Sequence, residues 1–316
     1  MDEPRIDVSV VDRIEGADGV AVVVLERPGG DAFPEWAPGA HIDVHLPGDM
    51  IRQFSLSSSP SDSRRWRLGV LREMAGRGGS AWIHESLVTG AKLSVSAPRN
   101  NFPLHEAPAY RFVAGGIGIT PLLPMIADVS RTGADWSLLY GGRTRASMAF
   151  LDELQAYGDH VQFRPQDEFG LLDLKRFLSD PVPGEQIYAC GPEPMLVAIE
   201  ATVQHWPAHS LHLERFTAKE VSTTEDVAFE VEFAESGLTA TVEPGVSILD
   251  VAENLGLNVF SSCREGTCGT CETPMLEGEA DHRDSLLTSA EQAANDALMI
   301  CVSRAAAGCP RLKLGL

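Results

Sequence analysis

The stretch CREGTCGTC, Cys263–Cys271, contains three of the six cysteines in a chain of 316 residues. Four residues separate Cys263 from Cys268, two separate Cys268 from Cys271, and Cys301 follows after 29 further residues. Gly266 and Gly269 lie inside the stretch, where they let the backbone come close to a bound group and point N–H groups at its sulfur ligands. The spacing is that of a short loop wrapped around an inorganic centre, with a distant segment supplying the fourth thiolate.

This spacing, C-x4-C-x2-C…C, predicts a plant-type [2Fe–2S] cluster with Cys263, Cys268, Cys271 and Cys301 as ligands. A structural zinc site is the alternative. Zinc sites usually combine two short pairs of ligands, and Cys301 has no second cysteine two to four residues away. The segments VEPGVSILDVAENLGL and LMICVSRA, on either side of the ligands, resemble the corresponding parts of plant-type ferredoxin domains.

The composition indicates a cytoplasmic protein and excludes two classes of partner. The N-terminus lacks the apolar core of a signal peptide, and no run of about 18 apolar residues could span a membrane. The formal net charge is −20, and residues 223–316 carry 16 acidic but only 5 basic residues. Such a surface repels nucleic acid and suits a basic protein partner near the C-terminus, although acidic residues also serve solubility alone.

The succession of predicted strands and helices along the chain predicts a multidomain protein with three segments. Residues 1–104 contain short β-rich runs separated by turns, which predicts an antiparallel β-barrel. Residues 105–222 alternate strands and helices, which predicts a parallel α/β nucleotide-binding domain. Residues 223–316 hold the cysteines and are predicted to form an α+β ferredoxin (β-grasp) domain. The polar stretch AKEVSTTED, residues 218–226, is interpreted as a linker.

Two polar patterns have a structural interpretation. His41, Asp43 and His45 alternate along one predicted strand, and we interpret them as its solvent-facing side rather than as metal ligands. Asp152 and Glu153 are interpreted as a solvated helix face rather than a catalytic pair.

A one-electron cluster fed by a two-electron nicotinamide requires a flavin between them, and two motifs in the first segment fit one. RQFSL, Arg52–Leu56, resembles the R-x-[YF]-S-L signature of ferredoxin-reductase-like flavin domains, with Phe54 where that family often has Tyr. GRGGS, Gly76–Ser80, precedes a predicted helix, where backbone N–H groups and Arg77 could hold phosphate. The resemblance implies that the Phe54 ring packs on the flavin, Ser55 lies near its reactive nitrogen and Arg52 binds its phosphate.

Two further motifs in the second segment resemble the nicotinamide-binding signatures of the same reductases. AGGIGITP, Ala114–Pro121, follows a predicted strand but lacks the G-x-G-x-x-G fingerprint. CGPEPM, Cys190–Met195, comes at the end of a later strand, where ligands collect in parallel sheets. ERF, Glu214–Phe216, closes the segment, and the resemblance implies that Phe216 covers the flavin and moves aside for nicotinamide.

The order of the domains resembles phthalate dioxygenase reductase and vanillate demethylase reductase over nearly the whole chain. The resemblance implies Ser55 and Phe216 as catalytic residues, FMN as the flavin, and NADH as the reductant. NADPH stays possible because Arg143 and Arg145 follow a predicted strand near the adenosine ribose. The predicted FMN residues are Arg52, Gln53, Phe54, Ser55, Gly69, Val70, Leu71, Arg77, Gly78, Gly79, Ser80, Thr120 and Phe216. The predicted NAD residues are Gly115, Gly116, Gly118, Thr120, Arg143, Cys190, Gly191, Pro192 and Met195.

These expectations predict a reductase that passes single electrons from NADH through FMN and a [2Fe–2S] cluster to a separate terminal oxygenase. The acceptor would be a Rieske-type aromatic dioxygenase or O-demethylase, or alternatively a cytochrome P450, docking at the acidic ferredoxin domain. The alternative of a different class is a non-enzymatic redox sensor or zinc-bearing adaptor. The intact RQFSL, GRGGS and GGIGITP motifs argue against that alternative.

Overall fold

The computed structural model describes residues 5–48, 50–74, 76–217 and 226–316, apart from the side chain of Ser289. One compact unit ends at Glu214, and a second begins at Arg215 and runs to Leu316. The predicted linker 218–226 lies outside the described residues except for Asp226. Among the residues described, no helix has both the length and the apolar composition needed to cross a bilayer.

The first part of the larger unit is the predicted antiparallel barrel. Its strands follow the order β4-β3-β6-β1-β2-β5, and a bridge between Leu56 and Leu68 connects the end of β4 to β5. Fully buried Trp66, Leu25 and Ile42 belong to its core. The elements are β1 (Arg5–Ala17), β2 (Val20–Glu26), β3 (His41–Leu46), β4 (Met50–Ser55), β5 (Trp66–Leu71), α1 (Gly79–Ser86) and β6 (Lys92–Ser96).

The interpretation of His41, Asp43 and His45 as a solvent-facing strand side is wrong. His41 and Asp43 are buried and His45 is half-buried. The Asp43 carboxylate pairs with Arg99 at 2.8 Å, and the Asp43 N–H donates to the Ser96 hydroxyl at 3.0 Å. The Asp43 carboxylate is therefore buried in a charge-compensated pair and does not face solvent.

The second part of the larger unit is the predicted parallel α/β domain, with strand order β11-β10-β7-β8-β9. The chain moves outward from β7 through β8 to β9 and then returns to β10 and β11. The order therefore reverses between β7 and β10, and ligands bind at the carboxyl ends of strands at such a point. The elements are β7 (Ala109–Gly115), α2 (Leu122–Thr132), β8 (Asp135–Gly142), α3 (Leu151–Gln155), β9 (Val161–Pro165), α4 (Gln166–Phe169), α5 (Leu174–Phe177), β10 (Gln186–Cys190), α6 (Glu193–Thr202) and β11 (Leu211–Glu214).

The smaller unit is a mixed sheet packed with one main helix, as the ferredoxin prediction requires. Strands follow the order β13-β12-β18-β14-β16, with β12 and β18 parallel and the other pairs antiparallel. Ser247 caps α7 by accepting the N–H of Asp250, whose carboxylate accepts in return. The elements are β12 (Phe229–Phe233), β13 (Leu238–Val242), α7 (Ile248–Asn254), β14 (Glu272–Glu277), β15 (Ala280–Asp281), α8 (Ser289–Ala294), β16 (Ala297–Met299), β17 (Arg304–Ala305) and β18 (Arg311–Leu314).

Candidate functional site

The four predicted cluster ligands converge in the smaller unit. Cys263, Cys268 and Cys271 lie on the loop between α7 and β14, and Cys301 lies in the turn after β16. All four are buried, and their thiols are within hydrogen-bonding reach of one another, Cys263 with Cys268 and with Cys301, and Cys271 with Cys301. No disulfide joins them. Four convergent thiols from one loop and one distant turn fit a [2Fe–2S] centre.

The loop backbone supports these sulfurs. The N–H groups of Glu265 and Thr267 point at Cys263 Sγ, at 3.3 and 3.5 Å, and the Thr270 hydroxyl donates to Cys268 Sγ at 3.2 Å. Hydrogen bonds from the Cys268 and Cys301 thiols, and then from Thr267 and Glu265, lower the pKa of Cys263, whereas the same thiol contacts raise the pKa of Cys268 and Cys301. Gly266 has φ 70°, and a Cβ there would lie 2.6 Å from Val302, so the tight loop excludes a side chain at this position.

In the larger unit, Arg52 and the start of α1 form the predicted phosphate end of the flavin site. Arg52 donates to the Arg77 carbonyl at 2.6 Å, and a Cβ on Gly79 would lie 2.5 Å from the Arg52 side chain. Gly78, with φ 85°, caps the eight-residue helix α1. The Ser80 hydroxyl accepts the N–H of Glu73 at 3.0 Å. The geometry fits a phosphate held beside a guanidinium and a helix N-terminus.

The barrel strand β5 meets the predicted nicotinamide turn, residues 114–121, at Gly69. A Cβ on Gly69 would lie 2.7 Å from Thr120 and 3.3 Å from the Phe150 ring. The backbone of β5 therefore approaches the turn more closely than any side chain would allow. Of its predicted neighbours, Val70 is fully buried in the barrel core, so only its backbone could face a ligand.

The other two flavin residues on β4 are half-buried. Phe54 packs against the barrel core, and the Gln53 amide nitrogen is buried without a hydrogen-bond partner among the described residues. An unpaired buried amide beside a predicted cofactor site is a position where a ligand or water could complete the hydrogen bonding.

The two predicted nicotinamide motifs meet at the point where the sheet order reverses. A Cβ on Gly118 would lie 2.2 Å from the Cys190 carbonyl oxygen, and one on Gly115 would lie 2.6 Å from Pro192. A Cβ on Gly191 would lie 2.9 Å from the Gly115 backbone. These close approaches bring the two turns together and leave backbone rather than side chains facing the crevice, as a bound dinucleotide requires.

Ser55, Cys190 and Glu214 lie together at this crevice. Cys190 and Glu214 are paired on adjacent parallel strands, and the Ser55 hydroxyl hydrogen-bonds the Glu214 carboxyl. Burial raises the pKa of Glu214 to about 8, although the Ser55 bond opposes the shift, and the second carboxyl oxygen is buried without a partner among the described residues. Burial, followed by the nearby Glu214 charge, raises the pKa of Cys190, so it remains a thiol.

Sequence reasoning missed Glu214 as a functional residue. The ERF motif predicts a role only for its aromatic residue, and the acidic residue two positions before it is the signal in the sequence. Two predicted residues are exposed: Arg143 lies beyond the end of β8, and Phe216 belongs to the smaller unit, where its side chain is 41% exposed. Their roles stay predictions.

Comparison with known families and proteins agrees with this geometry. Residues 231–306 match the 2Fe-2S iron-sulfur cluster binding domain, and residues 112–201 match the oxidoreductase NAD-binding domain. Phenoxybenzoate dioxygenase subunit beta from Ectopseudomonas oleovorans is 43% identical over 290 residues, covering 91% of each chain. Vanillate O-demethylase oxidoreductase from a Pseudomonas strain is 38% identical over 304 residues, covering 93% of this chain and 95% of the relative.

Solved structures show the same architecture. The solved structure of phthalate dioxygenase reductase matches with a TM-score of 0.74 and 32% identity, covering 99% of this chain and 98% of that one. An intact type IV self-sufficient cytochrome P450 monooxygenase matches with a TM-score of 0.90 and 40% identity over 99% of this chain. The chain spans only 41% of that P450 protein.

The domain matches and the coverage of whole relatives confirm the predicted fold and exclude the non-enzymatic adaptor. The chain belongs to the family of oxygenase-system reductases that includes phthalate dioxygenase reductase and vanillate O-demethylase oxidoreductase, and it is an oxidoreductase with a NAD-binding domain and a 2Fe-2S domain.

Proposed function

We propose that the protein oxidises NADH and delivers its electrons one at a time to a Rieske-type aromatic dioxygenase or O-demethylase. A bound FMN would accept a hydride from the nicotinamide and release single electrons toward the [2Fe–2S] cluster. The observation that carries the proposal is the meeting of Ser55, Cys190 and Glu214 where both nicotinamide turns adjoin the barrel. We assign the reaction to the cytoplasm, where thiols such as these six cysteines stay reduced.

The chain's own residues would bind, orient and protect the reactants. Arg52 and the N-terminus of α1 would hold the flavin phosphate, while Gly69 and Thr120 form the contact between the barrel and the nicotinamide turn. Glu214, with its raised pKa, would carry a proton near neutral pH and could donate a hydrogen bond at the crevice. The pocket would then position nicotinamide against flavin without any covalent step by the protein.

The terminal oxygenase would dock on the acidic surface near the cluster loop. Arg264, inside that loop, is neutralised by ion pairs with Asp250, at 3.0 Å, and with Glu253. Leu255 and Phe260, from the segment that enters the loop, are 40% and 51% exposed. This combination of acidic residues and exposed apolar side chains suits a partner that presents basic residues around an apolar contact.

A cytochrome P450 is the second candidate acceptor, because two P450 monooxygenase structures match 99% of this chain at 40% identity. The test is reconstitution. The purified protein is mixed with NADH and either a Rieske dioxygenase, a Rieske O-demethylase or a P450, and substrate turnover is measured. Chromatography of the flavin released by heating distinguishes FMN from FAD. Protein that contains no flavin, or that NADH cannot reduce, would refute the proposal. Substrate turnover with the P450 and with neither Rieske enzyme would show that the electron acceptor is a cytochrome P450.

A further inference from the structure

The side chain of Arg67, on β5 of the barrel, reaches across to α3 of the nucleotide-binding domain. Its two terminal nitrogens contact the two Glu153 carboxylate oxygens at 2.8 and 3.2 Å, and its guanidinium lies 4.8 Å from the centre of the Phe150 ring. We refer to Arg67, Phe150 and Glu153 as the Arg67 clamp. A bidentate ion pair of this kind fixes the relative orientation of the two side chains as well as their distance. The earlier interpretation of Glu153 as part of a merely solvated helix face is therefore incomplete.

Phe150 adopts an unusual backbone conformation in the clamp. It has φ 61° and ψ 23°, in the left-handed region that bulky residues rarely occupy. The conformation places Phe150 at the start of α3, where its carbonyl accepts the Leu154 N–H at 3.1 Å. Strained backbone of this kind persists where surrounding contacts hold it, and it is concentrated at functional sites.

One end of the clamp is connected to the nicotinamide turn. The Tyr140 hydroxyl lies 3.2 Å from the Gly116 carbonyl and 3.1 Å from the Ala149 carbonyl, and Ala149 immediately precedes Phe150. Tyr140 is fully buried, and burial raises its pKa, so the hydroxyl keeps its proton and can donate to these carbonyls. The position of Phe150 is therefore coupled to the backbone of the turn that begins at Gly116.

The other end of the clamp is connected to the segment that follows β4, the strand with the predicted flavin residues. Arg67 donates to the Ser57 carbonyl and lies 3.4 Å from the Ser57 hydroxyl, and its own carbonyl accepts the Ser57 N–H at 2.8 Å. Ser57 is two residues beyond Ser55. Between the two ends, the Phe150 ring would lie 3.3 Å from a Cβ on Gly69, so it fills the space where β5 approaches Thr120.

We propose that Phe150 is a positioning residue for hydride transfer, and that the Arg67 clamp sets the approach of the nicotinamide turn to the flavin strand. The inference rests on the proposed function, since it assumes that hydride passes between ligands held by those two segments. A contiguous set of contacts runs from Gly116 through Tyr140, Phe150 and Arg67 to Ser57. Loss of the ring would loosen the spacing between donor and acceptor without removing any of the residues predicted to bind flavin or nicotinamide.

The experiment compares Phe150→Ala and Phe150→Gly with the wild-type holoprotein. Glycine removes the ring and relieves the backbone strain, whereas alanine removes the ring and keeps the strain. Stopped-flow absorbance gives the rate constant for flavin reduction at saturating NADH, and its concentration dependence gives the NADH Kd. The same reaction with NADH deuterated at the transferred position gives the isotope effect. Val129→Ala, a core truncation at the far end of α2, is the control for general destabilisation.

Both Phe150 variants are expected to reduce flavin about 10- to 100-fold more slowly, since small misplacements of reacting groups have effects of that size. The deuterium isotope effect should be at least as large as in wild type, while the NADH Kd and the flavin content change by less than about threefold. Val129→Ala should lower the Tm and leave the rate constant unchanged. Rate constants for Phe150→Ala and Phe150→Gly within about twofold of wild type would overturn the inference, as would normal rates in Phe150→Gly alone.

Two variants keep the test decisive if Phe150 substitutions prevent folding. Arg67→Lys keeps the positive charge but loses the bidentate contact with Glu153, and Glu153→Gln removes the ion pair. Each should slow flavin reduction about three- to tenfold with an unchanged NADH Kd, and the double variant should be no slower than the worse single variant. Normal rates in both would refute the inference. Wild-type protein that NADH cannot reduce would instead refute the proposed function, and the inference with it.

Discussion

The Ser55 hydroxyl bonds the Glu214 carboxyl, joining the last residue of barrel strand β4 to the last residue of β11. Glu214 also lies beside Cys190 on the adjacent parallel strand. The pair thus connects the predicted flavin motif with the predicted nicotinamide crevice through one buried proton-bearing group. Its raised pKa has a consequence for stability that can be measured.

Glu214→Gln should change how stability depends on pH. The folded pKa of about 8 exceeds the ordinary value of 4.5, so the native state retains a proton that the unfolded state loses between these values. Glu214 therefore destabilises the native state progressively as pH rises from about 4.5 to 8, by up to about 1.4 kcal/mol per pH unit. The difference in Tm, variant minus wild type, should increase from pH 5 to pH 8. Glu277→Gln, at an exposed carboxylate, is the control, and a pH-independent difference for Glu214→Gln would contradict the assignment.

Cys301→Ser should abolish the [2Fe–2S] cluster and leave reduction of the flavin by NADH intact. The reason is that the four convergent thiols lie in the smaller unit, whereas the nucleotide motifs lie in the larger one. The visible absorbance of the cluster tests whether the cluster is lost. Stopped-flow bleaching of the flavin tests whether NADH still reduces it. Cys309→Ser, outside the ligand spacing, should retain both signals. Loss of flavin reduction in Cys301→Ser would contradict the modular arrangement.

Gly118→Ala should impair nicotinamide use, because the added Cβ would lie 2.2 Å from the Cys190 carbonyl oxygen. The turn and the end of β10 must then separate. We expect kcat/KM for NADH to fall at least tenfold while flavin content is maintained. Gly133→Ala is a matched control, since a Cβ there meets no atom within 4 Å, and it should cost only stability through its positive φ. Equal kinetic effects of the two substitutions would refute this explanation.

NADH should be preferred over NADPH. Arg143 is exposed beyond β8 and could accept a 2′-phosphate, so the preference rests on the family resemblance rather than on this residue. The ratio of kcat/KM for the two nucleotides measures it directly. A ratio that favours NADPH would show the prediction to be wrong, and Arg143→Ala would then reveal whether this side chain is the cause.

Rising ionic strength should slow electron transfer to the oxygenase and leave transfer from NADH to flavin nearly unchanged. Residues 223–316 carry a net charge of −11, and Arg264 beside the cluster is already neutralised by acidic neighbours. Screening by salt therefore weakens the attraction to a basic partner, whereas electron transfer from NADH to flavin does not depend on that attraction. The two rates are measured across a salt titration of the reconstituted system. A coupled rate that stays flat or rises would indicate apolar docking instead.

Local motifs were enough to predict the architecture and most of the candidate site. The spacing from Cys263 to Cys271 needs only one loop to bring three ligands together, so short-range sequence carries the information. RQFSL, GRGGS and CGPEPM likewise place their residues at one strand end or one helix start. Parallel strand order follows from alternating strands and helices, which puts the carboxyl ends on one edge.

Sequence by itself thus determined the multidomain fold class of this protein, and it predicted the cluster ligands and the two nicotinamide turns that the structure brings together. Only the tertiary structure decided that Glu214 meets Ser55, that Phe150 lies beside Gly69, and that His41 and Asp43 are buried rather than solvent-facing. The physical reason is that alternation along a strand specifies which side chains share a face, but not which face is covered. Contacts between segments distant in sequence arise only when the barrel and the parallel sheet pack together, and local patterns contain no record of that packing.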